Sequence, residues 1–261
     1  MAVFPLMISG CNDNAGNGGP SSSEPPPAVV AFTVVNQYPH DTMSFTQGLT
    51  FYKGQLYEST GNGNPERINN GSWAGMIDLQ TGKVLKKIKL DSQYFGEGIT
   101  ILDDKLYFLT WTTHIGFIYD VKTFTKTGEF KITGEGWGLT DDGKNLIMSN
   151  GTNNLVFYEP GTMNMISQLS VTDQNGPVAN LNELEYINGY IYANQWMTSY
   201  ILKIDPASGK VVGKMDCDSL YREIREEASG NYLNGIAYDD STQKIYITGK
   251  LWPSLYEIKF Q

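Results

Sequence analysis

The stretch YFGEGITILDDKLYFLTW, Tyr94 to Trp111, reads as two strands joined by a tight turn. Its β-branched and aromatic residues favour extended backbone, and the Asp-Asp pair between the two runs is turn chemistry. A lone carboxylate, Glu97, sits between two glycines where the first strand begins. The same strand start returns five times: QGLT at Gln47, EGIT at Glu97, WGLT at Trp137, NELE at Asn182 and NGIA at Asn234. The spacings are 50, 40, 45 and 52 residues. Each start is followed by a turn rich in Gly, Asp or Asn and then by a second strand: LYEST, LYFLTW, NLIMSN, IYANQW and IYITGK.

Third strands follow in every unit, and fourth strands (VLKKIKL, KTGEFKI, MISQLSV, KVVGKMD) follow in the first four. Four antiparallel strands at a period in the forties is the blade of a β-propeller. The spacing therefore predicts an all-β, five-bladed β-propeller. The fifth unit ends at Gln261 without a fourth strand, while AFTVVNQYP, ahead of the first unit, is a strand without a unit. Pairing the two closes the ring and removes an exposed edge. This reading places a leader and linker at residues 1–30 and the propeller at 31–261. One helix is predicted over Ser219–Ala228, with Ser219 as its N-cap.

Composition narrows the chemistry. The 261 residues include 28 glycines and 16 tyrosines, and the net charge is -9. No Lys/Arg patch is present to displace phosphate counterions, so nucleic acid is not an expected partner. There are two cysteines, Cys11 and Cys217, and two histidines, His40 and His114. A disulfide framework is not expected. No H-E-x-x-H or C-x-x-C spacing supports a zinc site, and no G-x-S-x-G supports a serine nucleophile.

MAVFPLMISGC is a short apolar run ending in small residues before Cys11, and it resembles the lipobox of bacterial lipoproteins. It lacks the basic n-region of a signal peptide, since the first Lys or Arg is Lys53. A Gly/Ser/Pro spacer follows that cannot bury a core. Together they predict export to a bacterial cell envelope, periplasmic or lipid-anchored through Cys11. No run of 18 apolar residues is present to span a bilayer.

At one rim of such a propeller, first-strand starts meet second-strand ends. That rim gathers Gln47, Glu97, Trp137, Asn182 and Asn234 with Trp111, Trp196, Asn150 and Lys250, and Phe45 and Phe95 lie two residues before strand starts. Each residue has a purely structural use as well. Glu97 and Lys250 can form an internal ion pair, the indoles can pack between blades, and the amides can satisfy buried carbonyls. Glu183 and Glu185 can brace the axis or hold a structural cation. One acid without a second carboxylate argues against a two-carboxylate glycosidase, and its simplest use is proton transfer. Indole walls suit a flat amide or an amine, and amides with a lysine suit a carbonyl oxygen that gains charge. A non-catalytic propeller binding a peptide or glycan on this rim is the alternative.

The blocks FTQGLTF, LYESTG, YFGEGIT, LYFLTW, GEGWGLT, LNELEYINGYIYANQW, LNGIAYD and TGKLWP, in this order from about Tyr38 onward, resemble the plant-type glutaminyl cyclases, also called glutamine cyclotransferases. The resemblance implies a five-bladed propeller that converts N-terminal glutamine of peptides to pyroglutamate with loss of ammonia, without a catalytic metal or cofactor. It implies Glu97 as the acid–base residue, with Lys250 and Asn182 beside it. It also implies a substrate site of Phe45, Gln47, Phe95, Trp111, Trp137 and Trp196, to which the strand-end position adds Asn150. Peptides or proteins with N-terminal Gln are the expected partners, and the chain is expected to be a monomer. The irregular segment NGNPERINNGSW leaves peptide preference open.

Overall fold

The computed structural model describes residues 25–61, 71–225 and 232–261. Cys11, most of the leader and most of the NGNPERINNGSW segment lie outside the described residues. The chain opens with β1 (Ala28–Val29) and β2 (Phe32–Pro39). The first blade is β3 (Thr46–Tyr52), β4 (Gln55–Thr60), β5 (Trp73–Ile77) and β6 (Val84–Lys89). The second is β7 (Gly96–Leu102), β8 (Lys105–Thr110), β9 (Ile115–Asp120) and β10 (Lys126–Lys131). The third is β11 (Leu139–Asp141), β12 (Leu146–Ser149), β13 (Asn154–Tyr158) and β14 (Met165–Ser170).

A two-stranded hairpin of β15 (Thr172–Asp173) and β16 (Gly176–Pro177), which no repeat predicts, leads onward. The fourth blade is β17 (Leu181–Ile187), β18 (Tyr190–Gln195), β19 (Tyr200–Ile204) and β20 (Val211–Asp216). Helix α1 (Asp218–Arg225) precedes the last three strands, β21 (Leu233–Asp239), β22 (Lys244–Gly249) and β23 (Ser254–Phe260).

β2 completes the fifth blade, antiparallel to β23 from Phe32 opposite Phe260 to Pro39 opposite Ser254. The predicted closure is the observed one, and the fold is a five-bladed β-propeller. The same segment does more than predicted. β1, in the stretch read as linker, runs parallel to β20 as a fifth strand of the fourth sheet. One N-terminal segment thus covers the outer edges of two adjacent blades. The helix also differs from expectation. Tyr221 N–H bonds the Cys217 carbonyl at 3.0 Å, and Asp216 Oδ1 accepts from Asp218 N–H at 2.9 Å. Asp216 rather than Ser219 therefore satisfies the first turn, and Ser219 lies within the helix. Residues 226–228 are outside the described residues. Cys217 is free and buried.

Apolar clusters form at the seams between neighbouring blades. Leu49 and Trp73 of the first blade pack with Ala237, Tyr246 and Leu255 of the fifth, for example. Burial of this kind contributes about 25 cal/mol per Å². The same seam holds a buried polar clamp. His40 Nδ1 donates to the Trp252 carbonyl at 2.7 Å, and His40 Nε2 lies 3.1 Å from Glu58. The Glu58 charge supports the imidazolium against desolvation, and the net effect is a raised His40 pKa.

A β-bulge explains what faces the axis. Between Thr46 and Gly48, Gly96 and Ile99, Leu181 and Leu184, and Leu233 and Ile236, the inner strand carries one more residue than its partner. Such bulges re-aim side chains. They turn Gln47, Glu97 and Asn182 toward one mouth of the channel, and they bring the next residue against the neighbouring blade. That next residue is usually glycine. A Cβ on Gly138 would lie 2.0 Å from the Asn182 carbonyl oxygen, so no larger residue fits.

In the fourth blade the equivalent residue is Glu183. Its carboxylate accepts from Leu49 N–H at 3.2 Å and from Ile236 N–H at 2.8 Å. Glu185 likewise accepts from Tyr238 N–H at 2.7 Å. These two acids brace the axis by joining blades. Burial, and for Glu183 the nearby Glu185 charge, raises both well above the usual carboxylate range. Glu183→Ala strands two buried amides and is expected to cost about 2–5 kcal/mol, seen as a fall of several degrees in Tm. An unchanged Tm would remove Glu183 from the bracing role.

Candidate active site

Strand pairing delivers the site residues in register. At the end of each second strand one residue's N–H bonds a carbonyl at the start of the first strand: Gly61 to Phe45, Trp111 to Phe95, Trp196 to Asn180 and Lys250 to Tyr232. Those pairs, together with the bulge residues, surround a cavity of about 370 Å³. It is lined by Phe45, Gln47, Phe95, Glu97, Trp111, Trp137, Asn182, Trp196, Tyr232 and Lys250.

The aromatic groups form a collar. Phe45 meets Phe95 edge-on at 6.4 Å, and Phe95 meets Trp111 at 5.6 Å. On the opposite side Trp137 meets Trp196 at 5.4 Å, and Trp196 meets Tyr232 at 6.4 Å. Lys250 links the two walls on one side, with its N–H on the Tyr232 carbonyl and its Nζ 4.7 Å from the Phe45 ring centre. Trp111 is the most open of these rings, 41% exposed.

Glu97 is only 5% exposed. Gln47 Nε2 donates to its Oε1 at 3.3 Å, and Asn234 Nδ2 reaches both the Thr46 carbonyl and Gln47 Oε1. A relay from the fifth blade thus orients the acid in the second. Desolvation is the main cause that pushes the Glu97 pKa well above the usual range. The Lys250 charge opposes it and the Glu135 charge adds to it. Lys250 is buried too, and its pKa is pulled down to about 8. No N–O contact within 4.0 Å joins the two, so they feel each other through a gap rather than as a closed ion pair. The buried Oδ1 of Asn182 has no donor among the described residues.

Nine of the residues expected at the rim line this one cavity. Asn150 does not. Its Oδ1 accepts from the N–H and hydroxyl of Thr152 at 3.2 and 2.6 Å, an Asx turn. The position equivalent to Trp111 in the third blade is Gly151, one residue on, and a one-residue slip faces a strand side chain the other way. A Cβ on Gly151 would lie 2.6 Å from the Trp137 indole, so that ring fills the vacant place.

Two residues escaped the sequence reading. Tyr232 stands two residues before Asn234, as Phe45 and Phe95 stand before Gln47 and Glu97. Glu135 stands two before Trp137 in the same way, and extending that offset to every repeat finds both. Among the described residues, no group of three or more His, Cys, Asp or Glu is placed to hold a metal ion.

A glutamine cyclotransferase family model matches residues 7–260. A glutaminyl-peptide cyclotransferase of Arabidopsis thaliana is 41% identical over 233 residues, which cover 87% of this chain and 71% of that one. The crystal structure of Myxococcus xanthus glutaminyl cyclase superposes with a TM-score of 0.82 at 34% identity. That match covers 90% of this chain and 98% of the other. With its blades, its collar and its buried acid accounted for, the chain belongs to the glutamine cyclotransferase family.

Proposed function

We propose that this protein is a glutaminyl-peptide cyclotransferase that closes the N-terminal glutamine of peptides to pyroglutamate and releases ammonia. One observation carries the reading: a single desolvated carboxylate, Glu97, in a cavity walled by aromatic rings and faced by the buried cation of Lys250. Family membership supports the same reaction.

A peptide α-amine titrates at about 7.7–8.0 and enters mostly protonated at pH 7. Burial raises the proton affinity of Glu97 toward that of the amine, which lowers the cost of the transfer. Glu97 takes the ammonium proton, and the freed amine attacks the side-chain carboxamide carbon. The C–N bond forms and the carbonyl electron pair moves to oxygen, which the Lys250 cation lining the same cavity stabilises.

Glu97 then gives its proton to the carboxamide nitrogen. The C–N bond to that nitrogen breaks and ammonia leaves. Glu97 receives the remaining ring-nitrogen proton, which departs with the ammonia as ammonium and restores the carboxylate. The unpaired Asn182 Oδ1 suits an N–H of the carboxamide. The reaction is intramolecular, so the collar's contribution is to hold glutamine folded back on itself.

Ammonia release from a glutaminyl dipeptide amide, with and without EDTA, tests the reading. Release that survives EDTA supports the metal-free mechanism. A folded protein that releases none across several Gln peptides is a binding module instead.

The wider reading is a monomeric enzyme exported to a bacterial envelope, resting on MISGC and the spacer after it. Fractionation of cells expressing the full chain checks this. Wild type is expected with membranes and Cys11→Ala in the soluble envelope fraction, and identical distributions would reject lipidation at Cys11.

A further inference from the structure

Glu135 does not line the cavity, and the proposed reaction gives it no role. It lies half-buried in the segment between β10 and β11, and its Oε2 accepts from Trp111 Nε1 at 2.7 Å and from Trp137 Nε1 at 2.8 Å. These two indoles belong to opposite walls of the collar, Trp111 with Phe45 and Phe95, Trp137 with Trp196 and Tyr232. An indole N–H is a donor only, so two tryptophans cannot bond to each other and need a shared acceptor. The segment that carries Glu135 is itself held against the second blade. Gly136 N–H bonds the Trp111 carbonyl at 3.2 Å, and a His114 ring nitrogen lies 2.6 Å from the Gly134 carbonyl. Glu135 therefore sits on a fixed support and joins the walls where Lys250 does not.

We propose that Glu135 is a positioning residue: its carboxylate latches Trp111 to Trp137 across the cavity mouth and so sets the aperture into which the N-terminal glutamine folds. The proposal rests on the cyclase reading. A carboxylate suits the task because hydrogen bonds to an ionised acceptor are about twice as strong as neutral ones. The charge has a second consequence. Glu135 and Lys250 are the charged groups acting on Glu97, one raising and one lowering its proton affinity.

Two variants test the latch, Glu135→Ala and Glu135→Gln, with a glutaminyl dipeptide amide as substrate. Removing the acceptor in Glu135→Ala is expected to lower kcat/KM about tenfold, carried by KM more than kcat. The indole N–H resonances of Trp111 and Trp137 should lose their hydrogen-bonded shifts. Glu135→Gln keeps an acceptor oxygen without the charge and should recover most of KM. Its acid limb should move to lower pH, because a charge that favours protonated Glu97 is gone. Unchanged KM and unchanged indole resonances in Glu135→Ala overturn the proposal. So does a Glu135→Gln variant as deficient in KM as Glu135→Ala with both indoles in place. Failure of the wild type to release ammonia sinks the cyclase reading itself, and the indole shifts then decide whether the latch exists.

Discussion

Glu97→Gln is expected to abolish cyclisation, by about 10³-fold or more, while the propeller stays folded. General acid–base participation contributes about 10²–10⁴, and here one carboxyl serves both proton transfers. Gln keeps the side-chain shape and an oxygen to accept from Gln47 Nε2, now at 3.3 Å from Glu97. Ammonia release and circular dichroism on the same preparation separate lost chemistry from lost structure. More than a few per cent of wild-type turnover would remove Glu97 from the acid–base role.

Stability should move the other way. Burial raises the Glu97 pKa well above its unfolded value. Below the unfolded pKa both states carry the proton, and desolvation then has no charge to act on. As pH rises from there through the raised folded pKa, the native state must ionise a desolvated acid, and stability falls. The neutral Gln carries no such cost, so Glu97→Gln should melt at the same temperature as wild type or higher near neutral pH. A clearly lower Tm would mean that Glu97 is a net structural brace.

Lys250→Ala is expected to lower kcat/KM by about 10²–10³-fold, the loss typical of removing one group that stabilises a developing oxyanion. The pH profile offers a sharper test. Burial brings the Lys250 pKa down to about 8, so its cation disappears as pH rises through that value. Turnover should decline on the alkaline side, while on the acid side it falls as Glu97 protonates above the ordinary carboxylate range. Lys250→Arg, always charged, should retain activity into more alkaline solution. An alkaline limb unmoved in Lys250→Arg would assign it to another group.

Much of this is legible in the sequence. The recurring starts at Gln47, Glu97, Trp137, Asn182 and Asn234 carry the register of every blade, because side chains in strands alternate with period two. That register places Trp111 beside the Glu97 strand start and Trp196 beside the Asn182 strand start, each within its own blade. It also shows the missing fourth strand that β2 supplies. Asn150 shows the limit of such counting. The third blade's inner strand is short and begins only at Leu139, so aligning its second strand by motif slipped by one residue. The capping role of Asp216 at the start of α1 is hidden for a related reason, since Asp216, Asp218 and Ser219 all carry side chains able to accept from a first-turn N–H.

Other features exist only once the ring closes. Glu183 and Glu185 read equally well as axis braces or cation ligands. The amides of Leu49 and Ile236, 134 and 53 residues from Glu183, and of Tyr238, 53 residues from Glu185, give both acids the bracing role. The Phe45–Phe95, Trp137–Trp196 and Trp196–Tyr232 contacts of the collar, the approach of Lys250 to Phe45, the relay from Asn234 through Gln47 to Glu97 and the sharing of Glu135 by two indoles all cross blade boundaries. The depth that shifts Glu97 and Lys250 toward each other's working range belongs with them. Sequence alone determined the blade, its count and its closure, since periodicity and turns act over neighbouring residues along one strand pair. Tertiary structure decided which groups meet and how far they are desolvated, because those depend on bulges and on the angle at which five separate sheets come together around one axis.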